Sequence, residues 1–192
     1  MPRLTFSRSR LFILSITLIF ASIISSSVYL ASLSARTAPR RSITISWPLE
    51  FSLNIAKDSF QQGENTTLSV SARNISNKTI TLEWGSYGRG WHEKIYFDFY
   101  IIDANGTAVY QWFYEHGRKL STCDKTLNAG EQLTNSFSWQ QLYNPSQDTF
   151  SRVPVPKGTY SVFGHTRIMG LTIDNQTRGI ELETPRLTFT IQ

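Results

Sequence analysis

The sequence has a single cysteine, Cys123, so no disulfide bond can form within the chain. A redox or nucleophilic role for Cys123 would need a second cysteine or a nearby histidine, and the surrounding stretch STCDKT contains neither. A domain without disulfides depends on its hydrophobic core. We therefore expect Cys123 to be a structural thiol.

Histidine is almost as scarce as cysteine. His92, His116 and His165 fall in three different segments, without the HxH or HxxxH spacing that holds many metal ions. Together with Cys123 or Met169 they would form a metal site only if the fold assembled them in space. We keep a metal-binding envelope protein as a distant alternative and predict no cofactor.

Motifs of the common enzyme classes are absent as well. The chain has no Gly-x-Ser-x-Gly, Walker or Rossmann pattern. Asp98, Asp103 and Glu115 lie in or beside one hairpin, where Asp103 belongs most simply to a turn, and they form no evident glycosidase pair. The sequence therefore predicts a protein that is not an enzyme.

The formal charge of +5 belongs to one end of the chain. Six of the 19 basic residues lie at or before Arg41, where no acidic residue occurs. The remainder carries 13 basic and 14 acidic residues, a net charge of 13 − 14 = −1. This balance excludes a basic footprint for nucleic acid in the folded part.

Residues 11–33 form a run of 23 residues without a charge, which is long enough to cross a hydrocarbon core of about 30 Å. It exceeds the apolar region of a typical signal peptide, although SLSA before Arg36 leaves a removed signal and a secreted domain as an alternative. Three arginines flank the run on each side, so the positive-inside rule does not decide its orientation. They are Arg3, Arg8 and Arg10 before it, and Arg36, Arg40 and Arg41 after it.

Beyond Arg41 the apolar residues alternate with a period of two, which is typical of strands. Pro48 predicts an edge position or a break into two strands. Eight or nine short strands, separated by turns such as QQGEN and NISNK, indicate an antiparallel β-sandwich. Gly158-Thr159-Tyr160 is similar to the Gly-x-Tyr of an immunoglobulin tyrosine corner. We predict a polar loop with some strand character at 172–184.

The richest aromatic stretch is IYFDFYIIDANGTAVYQWFY, residues 95–114. A two-residue type I′ turn at Asn105-Gly106 would place Ile102 opposite Val109, Ile101 opposite Tyr110 and Phe99 opposite Trp112. Both faces of this hairpin are apolar. We therefore predict a central element that is covered on both sides or partly open to a partner.

Five asparagines head Asn-x-Ser/Thr sequons, which are acceptors for N-glycosylation in exported proteins. Their concentration at turns has two interpretations: a glycoprotein outside the cell, or turns that simply favour Asn, Ser and Thr. The candidates are Asn65, Asn74, Asn77, Asn105 and Asn175.

Four blocks of the sequence, in order, are ARNISNKTITLEW, YFDFYIIDANGTAVYQW, TLNAGEQLTNSFSW and VPKGTYSVFG. Their turns, glycines and tryptophans resemble the BsuPI-type intracellular proteinase inhibitor domain, an immunoglobulin-like β-sandwich. The blocks span residues 72–164. The resemblance implies a binding module whose namesake inhibits a serine protease, and it assigns no reactive-site residue.

These observations predict a basic flank at 1–10, a transmembrane helix or uncleaved signal anchor at 11–33, a linker at 34–42 and a BsuPI-like sandwich at 43–192. The expected function is a membrane-tethered, extracytoplasmic module that binds a protein and acts as a proteinase inhibitor. The alternative is a cell-envelope adhesion or accessory domain whose exposed aromatic residues bind sugars or a membrane assembly.

Two loops are long enough to enter a protease cleft. The first is GSYGRGWHEK, residues 85–94, with Arg89 and Trp91 as candidate contacts, and the second is EHGRKLSTCDK, residues 115–125, with Arg118 and Lys119. A basic side chain beside glycine suits a trypsin-like specificity pocket with an acid at its base.

Overall fold

A computed structural model describes residues 39–87, 96–112, 120–144 and 153–192. The predicted basic flank, the charge-free run and residues 34–38 of the predicted linker lie outside these ranges. So do Tyr114, His92, His116 and the four candidate protease contacts. Within the described part of the chain, no helix is long and apolar enough to span a bilayer. The compact unit runs from Pro39 to Gln192.

The described residues form an all-β sandwich of two sheets, as the period of two predicts. The first sheet has the antiparallel order β1-β2-β4-β9. Its strands are β1 (Arg40–Ser46), β2 (Leu49–Ile55), β4 (Thr66–Asn74) and β9 (Gln132–Trp139). The turn at Trp47-Pro48 separates β1 from β2, which confirms the predicted break, and β1 is an edge strand.

The second sheet is organised around the 16-residue strand β10 (Gly158–Ile173). On one edge, β10 pairs with β11 and β12; on the other, it pairs with β5 and β6. Shorter pairings add β3, β7 and β8. The bounds are β3 (Ser59–Phe60), β5 (Ile80–Tyr87), β6 (Asp98–Asp103), β7 (Ala108–Gln111), β8 (Leu120–Leu127), β11 (Gln176–Glu183) and β12 (Leu187–Ile191).

Alternating side chains of both sheets meet in one aromatic core. Rings from the first sheet face rings from the second: Phe51 lies 5.7 Å from Phe97, and Phe137 lies 5.1 Å from Phe99. Trp84 and Trp139 are each only 1% exposed. Many of the Phe, Tyr and Trp side chains therefore pack between the two sheets.

The two sheets are aligned so that β1 lies over β11 and β12, while β9 lies over β6 and β7. On the β1 side, Arg40 donates to the carbonyl of Thr188, and the Ser42 hydroxyl donates to that of Pro185. On the β9 side, Phe137 packs against Phe99 and Trp112. The sandwich thus has a β1 edge and a β9 edge, on opposite sides of the core.

The hairpin at Asn105-Gly106 forms, but its turn differs from the predicted type I′. Gly106 has a φ of +83°, whereas Asn105 is not left-handed. The Gly106 amide donates to the Asp103 carbonyl at 3.0 Å, and the Asp103 amide donates to the Thr107 carbonyl at 2.9 Å. The loop therefore has three residues, as in a type I turn followed by a left-handed glycine. The Asp103 carboxylate favours it by accepting from the Asn105 and Thr107 amides.

This turn changes part of the predicted register. Ile101 lies opposite Tyr110, as predicted, but Ile102 pairs with Ala108 instead of Val109 because a bulge intervenes. Strand β7 ends at Gln111, so Trp112 follows the ladder and is not part of it.

A type I′ turn occurs instead at Asp174-Asn175, where both residues have positive φ, +50° and +61°. It joins β10 to β11, with Ile173 opposite Gln176. The segment 172–184, predicted as a polar loop with some strand character, is mostly strand, since β10 ends at Ile173 and β11 runs from Gln176 to Glu183. Its polar composition reflects an exposed edge of the sheet, since most side chains of β11 face solvent.

Both predicted protease loops are shorter than expected. Residues 85–87 of the first loop belong to β5, which ends at Tyr87. Strand β8 begins at Leu120 and pairs with β5, so the last six residues of the segment 115–125 belong to a strand. Their polar sequence concealed this strand, which within the described residues pairs with β5 on one side and lies at the edge of the sheet.

Candidate functional site

The candidate site is the place where β10 changes its strand partner. Residues 160–165 of β10 pair with β6, and residues 168–172 pair with β5 along the same edge. Strands β5 and β6 thus follow one another beside a single long strand. Strand β5 ends at Tyr87, and the described chain resumes at Tyr96, two residues before β6 begins at Asp98.

The second connection leaves the same region. Tyr87, the last residue of β5, pairs with Leu120, the first residue of β8. Opposed Cα atoms in an antiparallel ladder lie about 4.5–5.5 Å apart. Arg89 follows Tyr87 by two residues and Lys119 immediately precedes Leu120, although both lie outside the described residues. The structure therefore brings together the bases of the two connections that the sequence singled out.

A chain of buried and partly buried hydrogen bonds fixes the base of the first connection. The Trp84 indole donates to the Thr166 hydroxyl at 3.0 Å, and that hydroxyl donates to the Tyr96 carbonyl at 3.0 Å. The Tyr96 amide in turn donates to the Asn135 side chain at 3.2 Å. The rings of Trp84 and Tyr96 are 4.7 Å apart. Strands β5, β10 and β9 thereby hold the returning chain.

Aromatic packing fixes the base of the second connection. Trp112, the last described residue before it, is 8% exposed, and its ring lies 5.3 Å from that of Phe137. Phe137 also contacts Phe99, so one ring of β9 bridges the two aromatic residues that were predicted to be neighbours. A loop that begins at so firmly packed a residue has a rigid point of attachment.

A third connection starts beside the second. The Asn144 amide donates to the Val109 carbonyl at 2.8 Å, and the Gln111 amide donates to the Asn144 carbonyl at 3.2 Å. Residue 144 thus runs parallel to β7, and the chain leaves the described part directly after it. Asn144 is 4% exposed, and neither polar atom of its side chain has a hydrogen-bond partner among the described residues.

The outer face of the second sheet carries a different cluster. The ring of Tyr100 stacks on that of Phe163 at 5.0 Å, and Arg186 lies over Phe163 at 5.6 Å. His165 meets the ring of Tyr100 edge-on and contacts the Glu181 carboxylate at 2.8 Å. The hydrogen bond and the charge of His165 lower the pKa of Glu181 below 4.5. This partly buried cluster is the closest counterpart to the predicted aromatic surface.

Metal-ligating residues do not gather in the part of the chain that the structure describes: no group of three His, Cys, Asp or Glu could hold an ion there. Of the residues considered for a metal site, His165 is paired with Glu181 and Met169 is 47% exposed. Cys123 lies on β8 opposite Trp84, at a backbone position that the sequence analysis had assigned to a loop.

The five sequons fall into two kinds of environment. Asn65, Asn77, Asn105 and Asn175 are exposed in turns or beside strand ends. Asn74 is fully buried, and its side-chain amide donates to the carbonyls of Lys78, Leu127 and Asn128. For Asn74 the geometry agrees with the structural interpretation of the sequon.

Sequence reasoning missed the two polar anchors of the first connection, Thr166 and Asn135. Thr166 had a detectable signal: the alternation of Tyr160, Val162 and Gly164 continues to it and predicts an inward side chain. Asn135 had the same signal, since it alternates with Leu133, Phe137 and Trp139, but its hydrogen bond to the distant Tyr96 could not be foreseen.

Fold and site together define a loop-bearing β-sandwich domain. Residues 53–167, more than half of the 192, match the BsuPI family, described as "Intracellular proteinase inhibitor". The chain therefore belongs to the BsuPI family. This is a family of inhibitors and not of enzymes, and it implies a protease as partner. Among proteins with curated functions, none matches the sequence significantly.

Several solved structures are similar at low identity. A β-glucosidase from Listeria innocua in complex with glucose matches with a TM-score of 0.38 and 16% identity; the alignment covers 74% of this chain and 16% of the glucosidase. The C-terminal domain of wzt matches with a TM-score of 0.40 and 12% identity, and the alignment covers 82% of this chain and 80% of that domain. A CARDB domain from Pyrococcus furiosus, in complex with di-metal ions, matches with a TM-score of 0.36 and 12% identity. The alignment covers 80% of this chain and 89% of the CARDB domain. This chain thus spans about a sixth of the glucosidase's length.

Proposed function

We propose that this protein is a membrane-tethered proteinase inhibitor that presents its sandwich domain outside the cytoplasm. The observation that carries the inhibitory part is the common origin of two connections at Tyr87 and Leu120, on a base fixed by Trp84 and Thr166. A rigid base lowers the conformational entropy that a loop loses when it enters a cleft. Membership of the BsuPI family supports the protease as the partner.

The tether and the location are supported by sequence alone. The charge-free run at 11–33 is long enough for a membrane span, and four of the five sequons are exposed. The family description names an intracellular inhibitor, so a domain outside the cytoplasm would distinguish this chain from its namesake. We further propose that the sandwich is immunoglobulin-like. Its support is a tyrosine corner, in which the Tyr160 hydroxyl donates to the Pro156 carbonyl at 2.6 Å.

Inhibition is tested by titrating trypsin-like and subtilisin-like proteases with the full chain in detergent micelles. Arg89→Ala tests the first connection, and Arg118→Ala with Lys119→Ala tests the second. Truncating the side chain that fills a specificity pocket costs about 2 kcal/mol or more, so we expect the inhibition constant to rise about 30-fold or more for one of the two variants.

Exposed basic residues elsewhere provide matched controls. Arg73→Ala is the single control, and Arg73→Ala with Lys157→Ala is the double one, because both side chains are exposed and lie outside the two connections. Neither control should change inhibition. If micromolar protein slows neither protease class, or is merely digested, the inhibitor proposal falls.

The second candidate function is an adhesion or accessory domain, favoured by the stacked rings of Tyr100 and Phe163 beside Arg186. Aromatic faces of this kind stack on sugars or pack against a partner. Binding to cell-envelope glycans that is lost in Phe163→Ala, together with absent protease inhibition, would support this function over the first. Shaving of intact cells with protease tests the location for both.

A further inference from the structure

The outward face of the edge strand β1 carries an unusual group of apolar side chains. Of the five large hydrophobic side chains that are exposed in the described part, three lie within five residues: Ile43 at 40%, Ile45 at 68% and Trp47 at 58%. We call them the β1 strip. The other two, Val153 and Met169, stand apart in the sequence.

The neighbouring side chains explain why the β1 strip points away from the core. Ser42 and Thr44 alternate with it and donate to the carbonyls of Pro185 and Glu183 in the other sheet. Successive side chains of a strand face opposite sides, so Ile43 and Ile45 must face outward. Packing within the domain therefore gives no reason for isoleucine at these positions, where polar residues would suffice.

The position of the β1 strip in the chain indicates what covers it. The charge-free run ends at Leu33, and β1 begins seven residues later at Arg40. Seven residues reach at most about 25 Å when fully extended. If residues 11–33 span the membrane, the start of β1 therefore lies within about 25 Å of the end of the span, close enough for the β1 strip to reach the lipid surface.

The chemistry of the strip fits the interface between lipid and water. Tryptophan is enriched at that boundary, and isoleucine side chains enter the acyl region. Arg40 and Arg41 stand at the start of the strand, and Arg178 donates to the Trp47 carbonyl at 2.6 Å. Arginines beside a membrane surface attract anionic lipid headgroups. Arg41 also forms an ion pair with Glu50.

We infer that the β1 strip is a second membrane contact, which lays the β1 edge of the sandwich on the lipid surface. This inference rests on the proposed membrane tether. It also gives the domain an orientation: Asn135 of β9 holds the base of the first connection, and β9 is at the opposite edge of the first sheet. The bases of the two candidate connections at Tyr96 and Trp112, which pack against β9, would then lie on the side of the sandwich away from the lipid.

The test uses the full chain reconstituted in vesicles of phosphatidylcholine and phosphatidylglycerol, with and without brominated acyl chains. Bromine quenches tryptophan fluorescence only at short range. None of the five tryptophans precedes Trp47 in the sequence, so the charge-free run at 11–33 contributes no quenched tryptophan of its own. We expect quenching in the wild type, loss of most of it in Trp47→Phe, and a marked decrease in Ile45→Asp, which keeps the tryptophan. Val153→Asp, an equally exposed apolar position elsewhere, is the control and should quench like the wild type.

The outcomes separate the contact from the tether. A chain that alkaline carbonate releases from the vesicles has no span, and both proposals fall. A chain that stays in the vesicles, but whose quenching is unchanged by Trp47→Phe, keeps the tether and overturns the contact. The fluorescence of Trp47 could instead change with the number of protein molecules per vesicle and not with brominated lipid. That result would show that a second copy of the chain covers the β1 strip, and it would also overturn the lipid contact.

Discussion

Asn74 is the sequon asparagine whose side chain is buried and hydrogen-bonded within the fold. Its side-chain oxygen accepts from the amide and the hydroxyl of Ser76, at 2.9 and 2.7 Å. Its amide group donates to three carbonyls, at 2.7 Å to Lys78 and at 3.1 Å to each of Leu127 and Asn128. One buried side chain thus joins the end of β4 to the turn after it and to the end of β8.

The cost of removing this side chain can be worked from these contacts. An amide has two hydrogens, so three acceptors share them, and the side chain is equivalent to about four hydrogen bonds. Each contributes about 1 kcal/mol net, and an orphaned buried group costs somewhat more. We therefore expect Asn74→Ala to lower the free energy of unfolding by about 3 to 5 kcal/mol.

Asn77 supplies a matched control three residues away. It also heads a sequon, but its side chain is exposed, so Asn77→Ala should change stability by less than about 0.5 kcal/mol. Denaturant melts of both variants, followed by tryptophan fluorescence, measure the two changes. The comparison requires that the free energy of unfolding falls with denaturant concentration at the same slope in both variants. Protein made without glycosylation keeps the comparison free of any effect of sugar.

Two results would refute the reasoning about Asn74. A loss of stability below about 1 kcal/mol would mean that water or neighbouring groups replace the amide in all of its contacts. A glycan on Asn74 in the folded protein would mean that the side chain is not buried. Either result would return Asn74 to the same class as the four exposed sequons.

Two further predictions concern the core and the outer face. Trp112→Ala should lower the free energy of unfolding by about 3 to 5 kcal/mol, because a large ring packed on Phe137 is deleted, and denaturant melts measure this; a loss below about 1 kcal/mol would indicate an exposed ring. The pKa of Glu181 is lowered in the folded state by His165, so the stabilisation is present above about pH 4.5 and is lost as the pH falls through the folded-state pKa. Glu181→Gln should flatten that part of the acid dependence of the melting temperature, and an unchanged profile would contradict the pairing.

The sequence predicted the position of the turn at Asn105-Gly106 correctly but not its type. Asn-Gly at 105–106 favours a two-residue turn, yet Asp103 accepts from two amides and stabilises a three-residue loop. The type I′ turn formed at Asp174-Asn175, which has no glycine and was predicted to lie in a loop. Turn type depends on the register of the flanking strands, and that register is set by the whole sheet.

Both candidate loops were predicted too long at one end. The loop predicted at 85–94 begins with residues that belong to β5, which ends at Tyr87, and the start of β8 at Leu120 was hidden in a polar segment. An edge strand with few apolar side chains resembles a loop in sequence. Only its pairing with β5 shows that it belongs to the sheet.

The sequence by itself determined the all-β class and the break at Pro48, because each depends on alternation or on a few adjacent residues. Tertiary structure decided that β5 and β6 share one edge of β10, that Tyr87 meets Leu120, and that Asn74 is buried while Asn77 is exposed. These features join residues that are far apart in the chain. Such contacts depend on which strands pair, and a local pattern carries no information about that choice.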